Sequence, residues 1–187
     1  SGKQSVSGYA TTDLSNRGSA TIHILSDVGF TAKALYYSGP FVNTGPIPPK
    51  AEKKTSYTIV WAVSNTSNNI SKAIVRSFLP SWVTFTGSIS PADSDLVYNP
   101  STREIVWNAG NIVKGSGIST AEKSVSFQIM FNPSLSQVGA TPIIINDAVL
   151  TGHDDFANVD VRVSKTSLRT SLDKDPLFNP NGAAVTE

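Results

Sequence analysis

The chain has 187 residues, a formal net charge of +1 and no cysteine. This length suffices for one large all-β domain or two small ones, and the lack of cysteine excludes a disulfide framework and any thiolate metal site. The small net charge excludes strong attraction to nucleic acid or to an anionic membrane. Only 16% of the residues are charged, against roughly 25% in an average soluble domain. Serine, threonine and asparagine supply the polarity instead, as is typical of strand surfaces and secreted proteins.

Strands are predicted at the start of the chain, because apolar and polar residues alternate there with a period of two. Residues 20–25 show this alternation, and so do residues 30–37, where Phe30 and Ala34 share one face. Residues 38–50 contain four prolines and two glycines, which cannot sit inside a strand ladder. They predict a loop that crosses between sheets.

The segment 57–80 predicts two strands joined by a polar turn. Both faces of its first strand are largely apolar, which is typical of a central, buried strand, and Trp61 on that strand is a predicted core residue. The asparagine-rich residues 65–69 predict the turn. Pro80 ends the returning strand, because proline cannot continue a ladder.

Shorter strands follow along the chain. They are predicted at residues 82–85, 104–107, 124–131, 143–151 and 159–164. Residues 90–99 are a predicted loop, Gly110 is predicted to close the strand before it, and Trp107 is a second predicted core residue. A spacing of about 8 to 14 residues between strands is typical of a β-sandwich or a β-barrel. No apolar run reaches the roughly 18 residues of a membrane span, so direct membrane insertion is not expected.

Three motifs in a fixed order resemble a known family. YTIVWAVSNT begins at residue 57 and its strand pair ends in Leu-Pro, YNPSTREIVWNAG begins at residue 98, and INDAVLTG begins at residue 145. Together they are similar to the Ig-like conserved-repeat domain of bacterial and archaeal surface proteins, the family called domain of unknown function eleven. The resemblance covers residues 55–163. One departure is Ser77, where the family often has aspartate.

The resemblance implies an all-β fold, an Ig-like antiparallel β-sandwich with Greek-key-type connections at residues 46–164. Residues 1–45 are then N-terminal strands or an extension that packs on or leads into the sandwich. Residues 165–187 lose the alternation and are predicted to be a C-terminal tail or linker.

The implied function is that of a structural module in a secreted or cell-surface protein. It would be a stalk, an adhesin segment or a filament or pilus-like subunit that assembles through β-strand contacts. Its partners would be copies of itself or neighbouring surface domains, and its location extracellular or at the cell surface. No catalytic motif is present, and His23 and His153 have no recognisable catalytic partners, so no enzymatic activity is expected.

The alternative is a β-sandwich module that binds a glycan or a host or cell-surface protein. Trp82 follows a proline and Tyr37 precedes the proline-rich loop. Either ring, if exposed, can stack on a sugar. These two aromatic side chains are therefore the candidate ligand-facing residues.

Calcium is the one cofactor for which the sequence offers candidate ligands. Hard cations need several oxygen ligands at one point. Four carboxylates cluster near the last two predicted strands: Asp147, Asp154, Asp155 and Asp160. They are the candidate ligands, although ordinary turn aspartates would give the same pattern.

An intramolecular isopeptide bond is a further hypothesis. Some Ig-like adhesin domains join a lysine on an early strand to an asparagine near the last strand, and by that resemblance the candidates are Lys33 and Asn146. Such a bond needs apolar surroundings that keep the amine neutral. The alternative is that Lys33 is an ordinary surface lysine.

Overall fold

The computed structural model describes residues 27–187; the strand predicted at residues 20–25 lies outside this part. The strands are β1 (Val28–Leu35), β2 (Thr55–Asn65), β3 (Ile70–Phe78), β4 (Val83–Ser90), β5 (Leu96–Asn99), β6 (Glu104–Ile112), β7 (Lys123–Phe131), β8 (Ile143–Ile145), β9 (Ala148–Asp154), β10 (Val159–Lys165) and β11 (Leu168–Arg169). Two short 3₁₀ helices span Leu135–Gln137 and Pro180–Gly182. Within the described range, no helix has the length and hydropathy that crossing a membrane requires.

Two antiparallel sheets form the sandwich. One has the strand order β1-β2-β7-β4 and the other the order β10-β9-β3-β6-β5, while β11 and β8 form a small third sheet. The chain passes repeatedly between the two large sheets, which gives the Greek-key arrangement of an Ig-like sandwich. The predicted all-β sandwich is therefore confirmed.

Strand β2 is the most deeply buried strand described. One face packs in the core, where Trp61 lies 5.0 Å from the ring of Phe127 in an edge-to-face arrangement. On the other face, the proline-rich loop covers the start of the strand, where the Asn43 amide donates to the Thr58 hydroxyl at 3.0 Å. Trp61 is fully buried and Trp107 is 2% exposed, which confirms both as core residues.

Residues 38–50 do not cross between sheets, contrary to the sequence-based prediction. Strands β1 and β2 are neighbours in one sheet, so the loop between them returns to the same layer. Its backbone is held against β2, since the Thr44 N–H donates to the Ser56 hydroxyl at 2.7 Å. The proline-rich loop thus packs over the start of β2.

Three strand boundaries also differ from the prediction. Residues 96–99 form a strand within the predicted loop, because β5 pairs with β6 and buries Leu96. Gly110 does not end β6; its φ of +67° accompanies a register shift against β3, and the ladder continues to Ile112. Residues 143–151 form two strands instead of one, because the Asn146 N–H donates to the Phe78 carbonyl at the break.

The strands run between two ends of the sandwich. At the entry pole, Val28 pairs with Asn65 and Ile70 pairs with Asp154. At the exit pole, two loops contact residues near the C-terminal end. Lys50 forms an isolated β-bridge with Thr186, and Val138 forms one with Val185. Strand β1 therefore begins at the entry pole and ends towards the exit pole.

Residues 165–187 pack against the sandwich and close the exit pole. Leu172 and Val185 are buried in the core cluster. The Val185 N–H donates to the Ala140 carbonyl at 2.9 Å, and the Thr186 N–H donates to the Pro49 carbonyl at 2.8 Å. The folded unit thus includes β1 before residue 46 and this segment after residue 164.

Replacing Trp61 with alanine is expected to lower the free energy of unfolding by about 3 to 5 kcal/mol, the usual cost of a large cavity in a core. Urea denaturation measures the loss. The control is Val97→Ala, at a side chain that is 61% exposed, which should stay within about 0.5 kcal/mol of the parent chain. Similar losses in the two variants would contradict the placement of Trp61.

Candidate functional site

A groove runs beside the unpaired edge of β1. Among the described strands β1 is hydrogen-bonded only to β2; β10 and β11 lie across from its second edge, with Cα atoms within 8 Å, but do not pair with it. Residues 31–34 form one wall of the groove and residues 165–169 and 171–174 form the other. The recess, called the β1 groove below, has a volume of about 350 Å³.

The β1 groove combines an apolar floor with a basic rim. Ala34 and Leu172 are buried beneath it, while Lys33, Lys165 and Lys174 are exposed around it. The ion pairs found in residues 27–187 are Arg76 with Glu104 and His153 with Asp160, so none of these lysines belongs to an ion pair there. The rim thus presents positive charge to solvent.

Asp175 fixes the second wall of the β1 groove to the end of β1. Its Oδ2 accepts hydrogen bonds from the backbone N–H groups of Tyr36 at 2.7 Å and Tyr37 at 2.8 Å. Its Oδ1 accepts from the Ser38 hydroxyl at 3.2 Å and the Leu177 N–H at 3.3 Å. Burial disfavours the charged form, but these hydrogen bonds outweigh burial and lower the pKa of Asp175.

Sequence reasoning missed Asp175, because residues 165–187 show no strand period. The available signal was local: an aspartate before a proline commonly accepts hydrogen bonds from backbone groups that follow it in a turn. That signal predicts a turn but not the distant N–H groups of Tyr36 and Tyr37, which come from the other end of the described chain.

The four candidate calcium ligands do not gather into one site. Asp147 precedes β9 and Asp154 ends it, so they lie at opposite ends of a strand. In the part of the chain that the structure describes, no three His, Cys, Asp or Glu side chains are grouped as a metal site requires. The sequence clustering reflects proximity along the chain rather than in space.

Each of these carboxylates has a local protein partner instead. Asp154 is buried and accepts from the Asn68 amide and the Ala157 N–H, which shapes the turn between β9 and β10. The other contacts are Asp147 with the Ser167 N–H at 2.7 Å, Asp155 with the Ser71 hydroxyl at 2.6 Å, and Asp160 with His153 Nδ1 at 2.8 Å. The aspartates therefore serve the turns and strand ends.

His153 forms a surface pair with Asp160. The hydrogen bond to Asp160 raises the pKa of His153 above its ordinary value, and a weaker bond to Asn158 Oδ1 at 3.3 Å acts in the same direction. The Asp160 side chain is 92% exposed. Solvent therefore screens this pair, and its geometry is that of a surface contact rather than of a catalytic dyad.

Lys33 and Asn146 occupy surroundings that do not suit an isopeptide bond. Lys33 is exposed on the rim of the β1 groove, so its amine lacks the apolar environment that the reaction requires. Asn146 is half-buried, and its carbonyl accepts a hydrogen bond from the Ser77 hydroxyl at 2.8 Å. Ser77, the departure from the family pattern, therefore holds the junction between β8 and β9.

Trp82 and Tyr37 lie in different surface regions. Trp82 is 38% exposed, and its indole N–H donates to the Ile143 carbonyl at 2.7 Å. It lines a shallow depression with residues 136–137 and 139–143, which does not include Tyr37. Tyr37 is half-exposed and packs edge-on against Tyr36 beside Asp175. The two rings do not form one sugar-binding platform.

Comparisons with known proteins give likenesses of fold. No family model matches the chain, and no curated protein matches it. Among solved structures, a variant of BcpA, the major pilin subunit of Bacillus cereus, is similar with 9% identity and a TM-score of 0.46 over 76% of this chain and 40% of that one. The major pilin SpaD of Corynebacterium diphtheriae is similar with 13% identity and a TM-score of 0.43 over 76% of this chain and 35% of that one. The chain thus spans less than half the length of either pilin.

Replacing Asp175 with alanine is expected to lower the free energy of unfolding by about 1 to 3 kcal/mol, because partly buried N–H donors lose a charged acceptor. The matched control is Asp173→Ala, two residues earlier and exposed, which should change stability by less than about 0.5 kcal/mol. Urea denaturation at neutral pH compares the two variants.

The pH dependence of stability tests the lowered pKa of Asp175. A carboxylate whose folded-state pKa is depressed below 3.8 stabilises the fold above its unfolded pKa, and this stabilisation is lost as pH falls through the folded-state pKa. The difference between the parent chain and Asp175→Ala should therefore shrink as the pH drops below 3.8. A difference that is constant through this range would show that the charge of Asp175 has no part in it.

Proposed function

We propose that the chain is a non-enzymatic, load-bearing structural module of a secreted or cell-surface protein. The observation that supports this most directly is the path of the chain through the sandwich. It enters β1 at the entry pole and its C-terminal segment lies at the exit pole. A pull applied through the two ends of the folded unit would act roughly parallel to the strands.

The pairing of β1 suits such a load. Strand β1 is antiparallel to β2 over the whole register from Val28 opposite Asn65 to Leu35 opposite Thr58. A force parallel to β1 loads all of these hydrogen bonds together. A force that separates β1 from β2 at one end breaks them one after another. Asp175 then ties the far end of β1 to the C-terminal segment, so the loaded strand is linked directly to the exit pole.

The family motifs also support a scaffolding role. Their bulky members build the core instead of a surface: Tyr57, Leu79, Val83, Trp107, Ile112 and Leu150. Membership of the conserved-repeat family is part of this proposal. A module of that kind would be extracellular or exposed at the cell surface, and its partners would be neighbouring domains or further copies of the chain.

Glycan binding at Trp82 is the second candidate function. The observation that favours it is that the indole N–H is already bonded to Ile143, which fixes the ring while 38% of the side chain stays exposed. A fixed, exposed ring is what stacking on a sugar requires. This function would reside in the depression beside Trp82 rather than along the strands.

Single-molecule force spectroscopy tests the load-bearing proposal. Because the chain has no cysteine, attachment points can be introduced in pairs. The pair Asp27→Cys and Glu187→Cys pulls from pole to pole and is expected to require the higher rupture force. The control pair, Asp27→Cys and Thr66→Cys, pulls adjacent ends of β1 and β2 apart at the entry pole. Equal forces in the two geometries, or a lower force from pole to pole, would contradict the proposal.

A further inference from the structure

We propose that the depression beside Trp82 binds a sugar that carries a carboxylate. The Trp82 ring would stack on the sugar ring, and the Arg169 guanidinium would bind the carboxylate. This ligand class deepens the second candidate function and rests on it, because it requires that the depression bind a glycan at all. The load-bearing role is independent of it.

Trp82 and Arg169 are anchored to the same short stretch of backbone. The Trp82 indole N–H donates to the Ile143 carbonyl at 2.7 Å, and Arg169 Nη1 donates to the Thr141 carbonyl at 3.0 Å. Arg169 is also the cross-strand partner of Ile143, where β11 pairs with β8. Both side chains belong to residues that line the depression, so an aromatic ring and a guanidinium are held together at one surface site.

The Arg169 guanidinium retains the edge that binds carboxylates. Its hydrogen bond to Thr141 comes from Nη1, so this bond does not occupy the edge formed by Nε and Nη2. That edge donates parallel hydrogen bonds to a carboxylate, and arginine stays charged at any working pH. Neither ion pair found in residues 27–187 includes Arg169, so its charge has no acidic partner in that part of the chain.

The other lining residues suit a polar anion. None of the described residues that line the depression is acidic, so no negative side chain there opposes a carboxylate. Gln137 adds a donor: its Oε1 accepts from the Ser134 N–H at 2.9 Å, which leaves the amide nitrogen to donate to a ligand oxygen. The depression has a volume of about 580 Å³, within the range of small-ligand sites.

A carboxylate on the sugar is what the depression can distinguish. A neutral sugar would gain stacking on Trp82 but would leave the guanidinium edge of Arg169 without a charged partner. A hexuronate or a sialate carries a carboxylate that is ionised at neutral pH, and its bond to arginine is charge-assisted. These two sources of the same chemistry are distinguished by experiment.

An NMR titration of the full chain tests the proposal through the indole signals of its three tryptophans. The ligands are methyl glucuronide, the methyl glycoside of sialic acid, and methyl glucoside, which has a hydroxymethyl group where the glucuronide has its carboxylate. At least one acidic glycoside is expected to shift the Trp82 signal with an affinity about five- to tenfold above that of methyl glucoside. Trp61 and Trp107 are buried, so their signals are internal references. Acetate, a carboxylate without a ring, should leave all three signals unchanged.

Replacing Arg169 with glutamine tests the source of the selectivity. Arg169→Gln is expected to bring the affinity for the acidic glycoside to within about twofold of that for methyl glucoside, while the affinity for methyl glucoside stays unchanged. A purely structural role of Arg169 would alter both affinities together. Arg162→Gln is the matched control, since Arg162 is an exposed arginine on β10 and does not line the depression. Circular dichroism confirms folding, and Arg169→Lys, which keeps the charge but not the fork, should show an intermediate preference.

The outcomes separate the ligand class from the glycan-binding function itself. Equal affinities for the acidic and neutral glycosides would leave glycan binding at Trp82 in place and overturn its acidic selectivity. No shift of the Trp82 signal with any glycoside would overturn both. An acidic preference that persists in Arg169→Gln, or that is lost equally in Arg162→Gln, would also overturn the proposal. Binding of one acidic glycoside and not the other would support it and identify the source of the carboxylate.

Discussion

The hydrogen bonds from the N–H groups of Tyr36 and Tyr37 to the Asp175 carboxylate are the contact on which the proposed load-bearing role depends. They join the last residues of the chain to the end of its first described strand. They act together with the pairing of β11 with β8 and the burial of Leu172 and Val185, which also hold the C-terminal segment in place. One carboxylate thus links the wall of the recess to the end of the strand along which the proposed load would act.

The core supplies the rigidity that makes this contact useful. Strand β2 is buried on one face by aromatic packing around Trp61, and the proline-rich loop covers the start of its other face. A strand held on both faces cannot shift its register without exposing apolar side chains. The ladder between β1 and β2 therefore has a fixed partner, and the features that remain available for function lie at the edges and poles of the sandwich.

The sequence predicted the interior of the fold better than its surfaces, for a physical reason. Alternation reports which face of a strand is buried, so β2, β7 and the core positions of Trp61 and Trp107 were predictable. Strand β5 was missed because four residues give too short a pattern, and the proline-rich loop was misplaced because its composition does not say which layer it rejoins. The β1 groove depends on residues 31–34 meeting residues 165–174, and no local pattern encodes that contact. The role of the aspartates near β9 was likewise not predictable from a local pattern. Their hydrogen-bond partners in the turns and strands, rather than their spacing in the sequence, determine that role.

The most direct measurement of the central claim is native-state amide hydrogen exchange at Tyr36 and Tyr37, read by NMR on the full chain. These N–H groups lie beyond the end of β1, and Asp175 is their acceptor. They should exchange as slowly as the β1 amides bonded to β2, and this protection should disappear in Asp175→Ala while the β2 amides remain protected. Rapid exchange of both amides in the parent chain would contradict the claim that the C-terminal segment is anchored to β1.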